Sequence, residues 1–321
     1  LEFIAIERGD EPLRRHWLEA RMTVNPDNPE LLRAHAHLLA KMGDIEAERD
    51  VLRLEALGLD TPADRSLLSG LRARAGARSE ALEAIEQALA EDPNQAADWF
   101  SYANLLYQEG EISKALDAAD KCLAIDRQNG SAWALTATIL ATKQHRLKEA
   151  LKAAIHAVAL DCGGVELILL KADLLLADNQ PTAAEESLTK ALEKDMMNGE
   201  LRAKIATRYL LDGLPDAAQQ LLDTTPLGID HALLHVVEGR LHLVNADKVR
   251  DGTGETDATL LSAALAAFEG ALKLDRELGV AWLGMARTQR LLRNLDGAEE
   301  ALTRARRLLS EDDPSSAAEA A

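Results

Sequence analysis

The stretch WFSYANLLYQEGEISKALDAADKCLAID, residues 99–126, decides the fold of this chain. Its apolar residues recur every three or four positions on both sides of the segment QEGE, which is the spacing of amphipathic helices. Gly110 interrupts the pattern, because glycine readily adopts the left-handed conformation that ends a helix. The stretch therefore predicts a helix, a tight turn and a second helix.

The same unit recurs along the chain. Alanines within the second helix follow one another at spacings of 34, 35, 34, 34, 46 and 34 residues. These alanines are Ala81, Ala115, Ala150, Ala184, Ala218, Ala264 and Ala298. A second series, seven residues later, is Ala88, Cys122, Ala157, Ala191, Ala271 and Ala305. A fixed period of this kind predicts stacked repeats, which bury a core only against their neighbours.

The small residues have a packing role. Two antiparallel helices approach closely only where one of them offers little bulk, so that a large neighbour interdigitates there. Trp99, Trp133 and Trp282 lie at the fourth position of their units. We expect these tryptophans to face the second helix of their own unit.

These residues resemble the tetratricopeptide repeat family, whose unit of about 34 residues has Trp, Leu-Gly, Tyr, Ala, Phe, Ala and Pro at fixed places. Residues 96–129 match with Trp99, Tyr102-Ala103, Leu106, Ala115, Ala119 and Cys122, and residues 279–312 match with Trp282, Met285-Ala286, Ala298, Leu302 and Ala305. Arg127 departs from the pattern, because proline is usual there. The resemblance covers nearly the whole chain and implies an all-α fold, an α-solenoid of helix-turn-helix repeats in a right-handed superhelix.

The repeat register predicts the organisation of the chain. We expect a partial N-terminal repeat at 1–26, a repeat array at 27–230, C-terminal repeats at 231–312 and a polar tail at 313–321. The segment TTPLG, residues 224–228, shortens one second helix and predicts a kink that divides the array into two lobes. Residues 245–259 are almost devoid of apolar side chains, which predicts a solvated loop inserted between two helices.

Composition excludes several functions. The chain has 321 residues, with 54 acidic against 36 basic side chains and a net charge of -18. This balance disfavours binding to nucleic acid and to anionic membrane surfaces. The sequence has no run of eighteen apolar residues, so we expect no membrane insertion by this segment. It starts without Met, as an excised or processed piece would, so a lost signal or anchor and the compartment, bacterial periplasm or cytoplasm, both stay open.

Catalytic motifs are absent from the sequence. It contains no GxxxxGK[ST], GxSxG or HExxH, and the glycines of GTG at 252–254 follow no strand. Cys122 occupies an alanine packing position, which predicts a buried, inert thiol, and Cys162 lies at a turn without a neighbouring base. We therefore expect no enzymatic activity and no cofactor.

The family resemblance implies a concave groove lined by the first helix of each repeat. On this register the predicted binding residues are Phe100, Asn104, Tyr107, Leu169, Asp173, Leu176, Thr207, Leu210, Arg240 and Arg287. Val236, Leu243, Leu283 and Arg290 share the same positions. An apolar floor flanked by polar groups suits an extended peptide or a partner helix. Alternatively, neighbouring helices or an end segment cover Leu169, Leu176 and Leu210.

The stretch HALLHVVEGRLH, residues 231–242, raises the question of a metal site. On one helix His231, His235, Glu238 and His242 would share a face, but His231 and His242 would lie about 16 Å apart along the axis, too far to bind one ion. In the repeat register, His235 and His242 occupy positions that face the second helix. We expect them to pack there, with ring nitrogens bonded to backbone or to the insertion, and no metal to be bound.

The leading hypothesis is a non-enzymatic scaffold for a protein or peptide partner. The bias towards Ala, Leu and Arg resembles bacterial family members, many of which assemble envelope or secretion complexes. Two alternatives remain open: a metal-responsive module that uses the histidine helix, and the regulatory array of a larger enzyme. The partner and the oligomeric state are not determined by the sequence.

Overall fold

The computed structural model describes residues 9–143, 145–253 and 257–312, and the side chains of Thr253 and of residues 310–312 are not described. Within these ranges the regular structure consists of seventeen α-helices and no strands. The chain separates into two compact units, Leu1–Gln180 and Pro181–Ala321.

The N-terminal unit contains ten described helices. They are α1 (Glu11–Val24), α2 (Pro29–Met42), α3 (Ala47–Ala56), α4 (Pro62–Arg74), α5 (Arg78–Glu91), α6 (Ala96–Gln108), α7 (Ile112–Ile125), α8 (Gly130–Thr142), α9 (Leu147–Ala159) and α10 (Gly164–Ala177). From α2 onwards they pair as helix-turn-helix repeats, in which α4 packs on α5, α6 on α7 and α8 on α9. Each second helix also contacts the next repeat, which makes a continuous α-solenoid within this unit.

The C-terminal unit contains seven described helices. They are α11 (Pro181–Lys194), α12 (Gly199–Leu211), α13 (Pro215–Asp223), α14 (Ala232–Thr253), α15 (Ala258–Leu274), α16 (Gly279–Leu291) and α17 (Leu295–Asp312). Here α14 packs on α15, α15 on α16 and α16 on α17, and α12 contacts both α13 and α14. The all-α repeat fold expected from the sequence is confirmed in both units.

The turn predicted at QEGE has the expected geometry. Gly110 has φ +82°, in the left-handed region. Its N–H donates to the carbonyl of Tyr107 at 3.1 Å, and the N–H of Glu111 donates to the carbonyl of Leu106 at 2.9 Å. These bonds satisfy carbonyls that a helix end leaves unpaired. A side chain at residue 110 would strain the turn between α6 and α7.

Most residues of the small-residue series are buried. The fully buried members are Ala81, Ala88, Ala115, Cys122, Ala150, Ala157, Ala218, Ala264, Ala271 and Ala305, all at 0% exposure, and Ala184 is at 2%. Ala191 and Ala298 differ, because both are only half buried. The prediction that small residues permit close helix crossings is therefore confirmed for most repeats, with Ala298 left at a surface.

The three repeat tryptophans make the same contacts. The indole N–H of Trp99, Trp133 and Trp282 donates to the backbone carbonyl six residues earlier, at 2.8, 2.9 and 2.9 Å. Each ring also meets a side chain of the second helix of its own repeat: Lys121 over Trp99, His156 stacked on Trp133 and Arg304 over Trp282. The expected orientation is confirmed, and each tryptophan fastens an inter-repeat turn to a helix pair.

The insertion is where the prediction of a loop is wrong. Helix α14 continues to Thr253, so most of the segment predicted as a loop at 245–259 is helical. Ala246 is buried, and Asp247 pairs with Arg250 at 3.0 Å one turn later and with Arg287 of α16 at 2.9 Å. These contacts stabilise an extended first helix that composition alone did not indicate. Residues 254–256 lie outside the described ranges.

Other boundaries follow the sequence more closely. Helix α13 has nine residues and stops before the TTPLG segment, as expected for a shortened second helix. The division into compact units nevertheless falls between Gln180 and Pro181, not at this kink. The repeat boundaries at 26, 230 and 312 stay predictions, and the tail at 313–321 lies outside the described ranges. Over the described residues, no helix is both long and apolar enough to cross a membrane.

Candidate binding pocket in the C-terminal unit

Three successive first helices of the C-terminal unit bring predicted binding residues together. Residues three or four positions apart share one face of a helix. Thr207 and Leu210 thus lie together on α12, Arg240 on α14 and Arg287 on α16, and all four line one pocket of about 850 Å³. The remaining lining residues come from the same helices and from α17: Leu211, Leu243, Val244, Val280, Leu283, Gly284, Ala286, Arg290, Leu295, Ala298, Glu299, Leu302 and Arg306.

The pocket has an apolar floor that continues onto an exposed rim. Leu243 is 3% exposed and forms part of the floor, and Leu210, Leu283 and Leu302 are half buried. At the rim, the C-terminal residue of α12, Leu211, is 76% exposed, and the first residue of α17, Leu295, is 67% exposed. Large apolar side chains that are exposed beside a concave apolar surface are typical of a contact site.

Arginines surround this floor. Four of them, Arg240, Arg287, Arg290 and Arg306, line the pocket with a single acidic residue, Glu299. The charges of the lining residues therefore sum to +3 in a chain whose net charge is -18, and Asp247 beside the pocket offsets the charge of Arg287.

Arg287 and Arg290 differ in their ion pairs. Arg287 is held by Asp247 at 2.9 Å. Arg290 is exposed, and its side chain makes no ion pair with any residue in the described ranges. Arg290 is therefore available to a ligand carboxylate.

The close packing of α14, α15 and α16 shapes the wall beneath the pocket. Phe268 of α15 is fully buried between two glycines. A Cβ atom at Gly239 of α14 would lie 2.7 Å from the phenyl ring, and one at Gly284 of α16 would lie 2.3 Å from it. Both distances are below van der Waals contact, so a side chain at either position would displace Phe268 or separate the helices. Gly284 also lines the pocket, which ties its shape to this packing.

In the N-terminal unit, the predicted binding residues on α6 are partly used for packing. Phe100 is half buried against the cluster that contains Cys122, Leu123 and Ala132. Tyr107 packs in the same way against a second cluster, and Asn104, which lies between the two rings in sequence, is exposed. Each ring therefore stabilises the repeat stack, whatever its remaining surface binds.

The other predicted residues of the N-terminal unit lie on α10. Leu169 and Asp173 are half buried, and Leu176 is 41% exposed. Leu176 is not fully covered by a neighbouring helix, whereas Leu169 is covered in part. The binding role of these residues and of those on α6 stays a prediction.

The prediction from the sequence omitted some residues that line the pocket and placed one core residue at the groove. Val236 was expected at the groove, but it is 3% exposed in the core cluster of α14, α15 and α16. Leu211, Leu295 and Arg306 line the pocket although they are not at groove positions of a first helix. The sequence does contain a signal for Leu211 and Leu295, because each is a leucine next to a turn, where polar residues are usual.

The histidine stretch differs from the predicted arrangement. His231 precedes α14 and does not share its face, because the helix begins at Ala232, and its Nδ1 accepts the N–H of Leu233 at 3.3 Å. His235 faces α15 as expected, close to Gly270. Its Nε2 lies 2.9 Å from a carboxylate oxygen of Asp230, so its partner is neither backbone nor the insertion.

Metal and thiol chemistry find little support in the described residues. Among the described residues, no group of three or more His, Cys, Asp or Glu side chains could hold a metal ion. The Cys122 thiol is 0% exposed, and burial raises its pKa, which disfavours the reactive thiolate. Cys162 is half buried and packs against Gly130, where a Cβ atom would lie 2.5 Å from its Sγ.

Comparisons with known proteins agree with the repeat fold. Residues 72–139 match the model of a tetratricopeptide repeat family. A tetratricopeptide repeat protein from Parabacteroides merdae has a similar structure, with a TM-score of 0.56 and 17% identity over 81% of this chain and 98% of that chain. This likeness shows the fold alone.

Two further structures show a weaker likeness. MamA is 18% identical over 50% of this chain and 94% of its own, with a TM-score of 0.47. YrrB, described as a TPR protein with an unusual peptide-binding site, is 19% identical over 72% of this chain and 95% of its own, with a TM-score of 0.35. No protein of curated function matches the sequence.

Proposed function

We propose that this tetratricopeptide-repeat protein is a non-enzymatic scaffold that holds a segment of a partner protein in the pocket lined by α12, α14, α16 and α17. Proteins of this repeat family are generally protein-interaction scaffolds. The observation that carries the proposal is the convergence of Thr207, Leu210, Arg240 and Arg287 on one pocket of about 850 Å³. They come from three consecutive repeats, and a site built in this way depends on the stacking of the array.

The shape of the apolar surface favours a macromolecular partner. A pocket of about 850 Å³ would by itself also fit a small molecule. Leu211 and Leu295, however, extend the apolar surface to the exposed rim. A small ligand would contact only the pocket-facing side of these two leucines, whereas a peptide or a helix would also cover their exposed surface.

The absence of catalysis and the role in complex assembly are also proposals. We propose no catalytic role, no cofactor and no binding to nucleic acid. Assembly of a bacterial envelope or secretion complex rests on the compositional resemblance alone. The regulatory array of a larger enzyme and the metal-responsive module have no specific observation in their favour among the described residues.

The test uses three leucines with the same substitution. A random peptide library is selected on the wild-type chain, and the selected peptides are then measured against L211D/L295D and against L227D. Leu227 is 101% exposed and does not line the pocket, so L227D controls for the change in charge and hydropathy. All three positions are exposed, and circular dichroism checks that the variants fold.

The proposal predicts that L211D/L295D weakens peptide binding by about tenfold or more, as expected for loss of apolar contacts and repulsion of the ligand. L227D should bind like the wild type. Equal loss in both variants, or no loss in either, would show that the selected peptides bind elsewhere.

A further inference from the structure

The charge of the pocket is opposite to that of the chain. The protein has 18 more acidic than basic side chains, yet four arginines and one glutamate line this pocket. A uniformly acidic surface would attract basic partners by default. A local excess of positive charge around an apolar floor therefore selects against the ligands that the rest of the surface attracts.

From this complementarity we infer that the partner segment is an acidic amphipathic helix, with leucine-like side chains on one face and Asp or Glu residues beside them. The inference rests on the proposed function of the pocket. The apolar face would cover Leu210, Leu283 and Leu302, which are half buried on the floor. Acidic residues one turn away would reach the arginines on either side.

The arginines surround the floor from different helices. Arg240 belongs to α14, Arg287 and Arg290 to α16, and Arg306 to α17. Guanidinium groups bind carboxylates in a planar, two-point geometry that fixes orientation as well as charge. Arg287 already pairs with Asp247 at 2.9 Å, so its charge is offset within the protein. Arg290 is the rim arginine that a ligand carboxylate meets without first displacing an ion pair within the described ranges.

The pocket is a poor match for the other anionic macromolecules. Single-stranded nucleic acid is held by aromatic rings on which bases stack, as well as by positive charge. None of the described residues lining this pocket is Phe, Tyr or Trp. The apolar side chains are leucine, valine and alanine, which suit an aliphatic helix face.

The chain's own C-terminal segment also lacks the required chemistry. Residues 311–321, EDDPSSAAEAA, are acidic but contain no apolar side chain larger than alanine or proline. Such a segment supplies charge without an anchor for the leucine floor. The occupant that fits is a protein segment that combines both features, and residues 311–321 do not.

The experiment uses three synthetic helical peptides of about 15 residues with the same leucine face. Their polar faces carry glutamate, glutamine or lysine. Affinity for the full chain is measured by fluorescence anisotropy at about 0.05 M and about 0.5 M salt, because screening separates charge from apolar contact. An oligouridylate of similar length is a fourth ligand.

We expect the glutamate peptide to bind about tenfold more tightly than the lysine peptide at low salt, although the net charge of the chain favours the opposite order. This preference should shrink at high salt. R290E should weaken binding of the glutamate peptide by roughly three- to tenfold. R127E is the matched control, because Arg127 is exposed in the N-terminal unit and the charge change is identical.

The outcomes separate this inference from the proposed function. Equal affinity of the glutamate and glutamine peptides, or tighter binding of the lysine peptide, overturns the acidic partner and leaves the apolar pocket as a binding site. Tighter binding of the oligouridylate overturns the acidic helix in favour of nucleic acid. Failure of all four ligands, together with failure of peptide selection, overturns the proposed function as well.

Discussion

The repeat of α6 and α7 and the repeat of α14 and α15 differ in where their large core side chain comes from. For α6 and α7 it is Leu135 on α8, the first helix of the next repeat. For α14 and α15 it is Phe268 on α15, the second helix of the repeat itself. Ala119 lies four residues after Ala115, as Phe268 lies four residues after Ala264. The next first helix supplies Leu135, which packs against the cluster that contains Ala119.

Gly284 of α16 is the small residue that accompanies Phe268. Gly284 occupies the position of Leu135, two residues after the repeat tryptophan, and leaves room for Phe268. In the repeat register the two repeats therefore carry opposite pairs of small and large residues, Ala119 with Leu135 and Phe268 with Gly284. A repeat register fixes where bulk is needed, and neighbouring positions share the task of supplying it.

The largest expected effect on stability comes from substitutions at Phe268 and Gly284 in the C-terminal unit. F268A should lower the free energy of unfolding by about 3–5 kcal/mol, because it removes a fully buried phenyl ring and leaves a cavity. G284L should also destabilise, because even a Cβ atom at this position lies 2.3 Å from the ring. Urea denaturation followed by circular dichroism measures both changes.

The double variant sharpens the comparison. F268A/G284L transfers the arrangement of the N-terminal unit, so its destabilisation should be less than the sum of the two single changes by at least about 1 kcal/mol. L135A in the N-terminal unit is the reference for removing the equivalent bulk. Additive effects in the double variant would show that the two sites do not share one space.

A smaller effect is expected from a feature that both units share. W99F and W282F each remove an indole hydrogen bond, of 2.8 and 2.9 Å, and weaken a contact with a cation. Each should cost about 1 kcal/mol. Denaturation of each variant, with hydrogen exchange to locate the loss in its own repeat, tests whether the contacts are equivalent. A large cost in one repeat and none in the other would contradict that equivalence.

The smallest expected effect is a dependence of stability on pH that comes from Tyr102 in the N-terminal unit. At the position where α16 has Met285, α6 has Tyr102, whose hydroxyl donates to Glu86 at 2.7 Å. Burial and this bond raise the pKa of Tyr102 to about 12. The pKa is above that of an unfolded tyrosine, about 10, so the contribution to stability is present below pH 10 and is lost as the pH rises towards 12.

Ultraviolet absorbance measures this titration directly. Burial also raises the pKa of Tyr209. The wild type should therefore keep more than one phenol protonated above pH 10, and Y102F should remove the part of the high-pH phase that belongs to Tyr102. If Y102F left the high-pH phase unchanged, the hydrogen bond to Glu86 would not control the titration.

Periodicity was sufficient to predict the helix pairs, the buried alanines and the orientation of Trp99, because these follow from local spacing. The helical insertion was not predictable in the same way, since its stability comes from Ala246 and from Asp247 contacts with α16. Four groove residues were predicted to share a site because first helices stack in register. The rim leucines Leu211 and Leu295 were missed because they belong to helix ends, where the turn geometry decides their exposure.

The central claim is that the pocket of the C-terminal unit, and not the surface of α6, receives the partner segment. Hydrogen-deuterium exchange of the wild-type chain, with and without a peptide that binds it, tests this most directly. We expect slower exchange in the peptides that contain residues 207–211 and 283–295, and unchanged exchange at 100–107. Protection of 100–107 without protection of the C-terminal segments would contradict it.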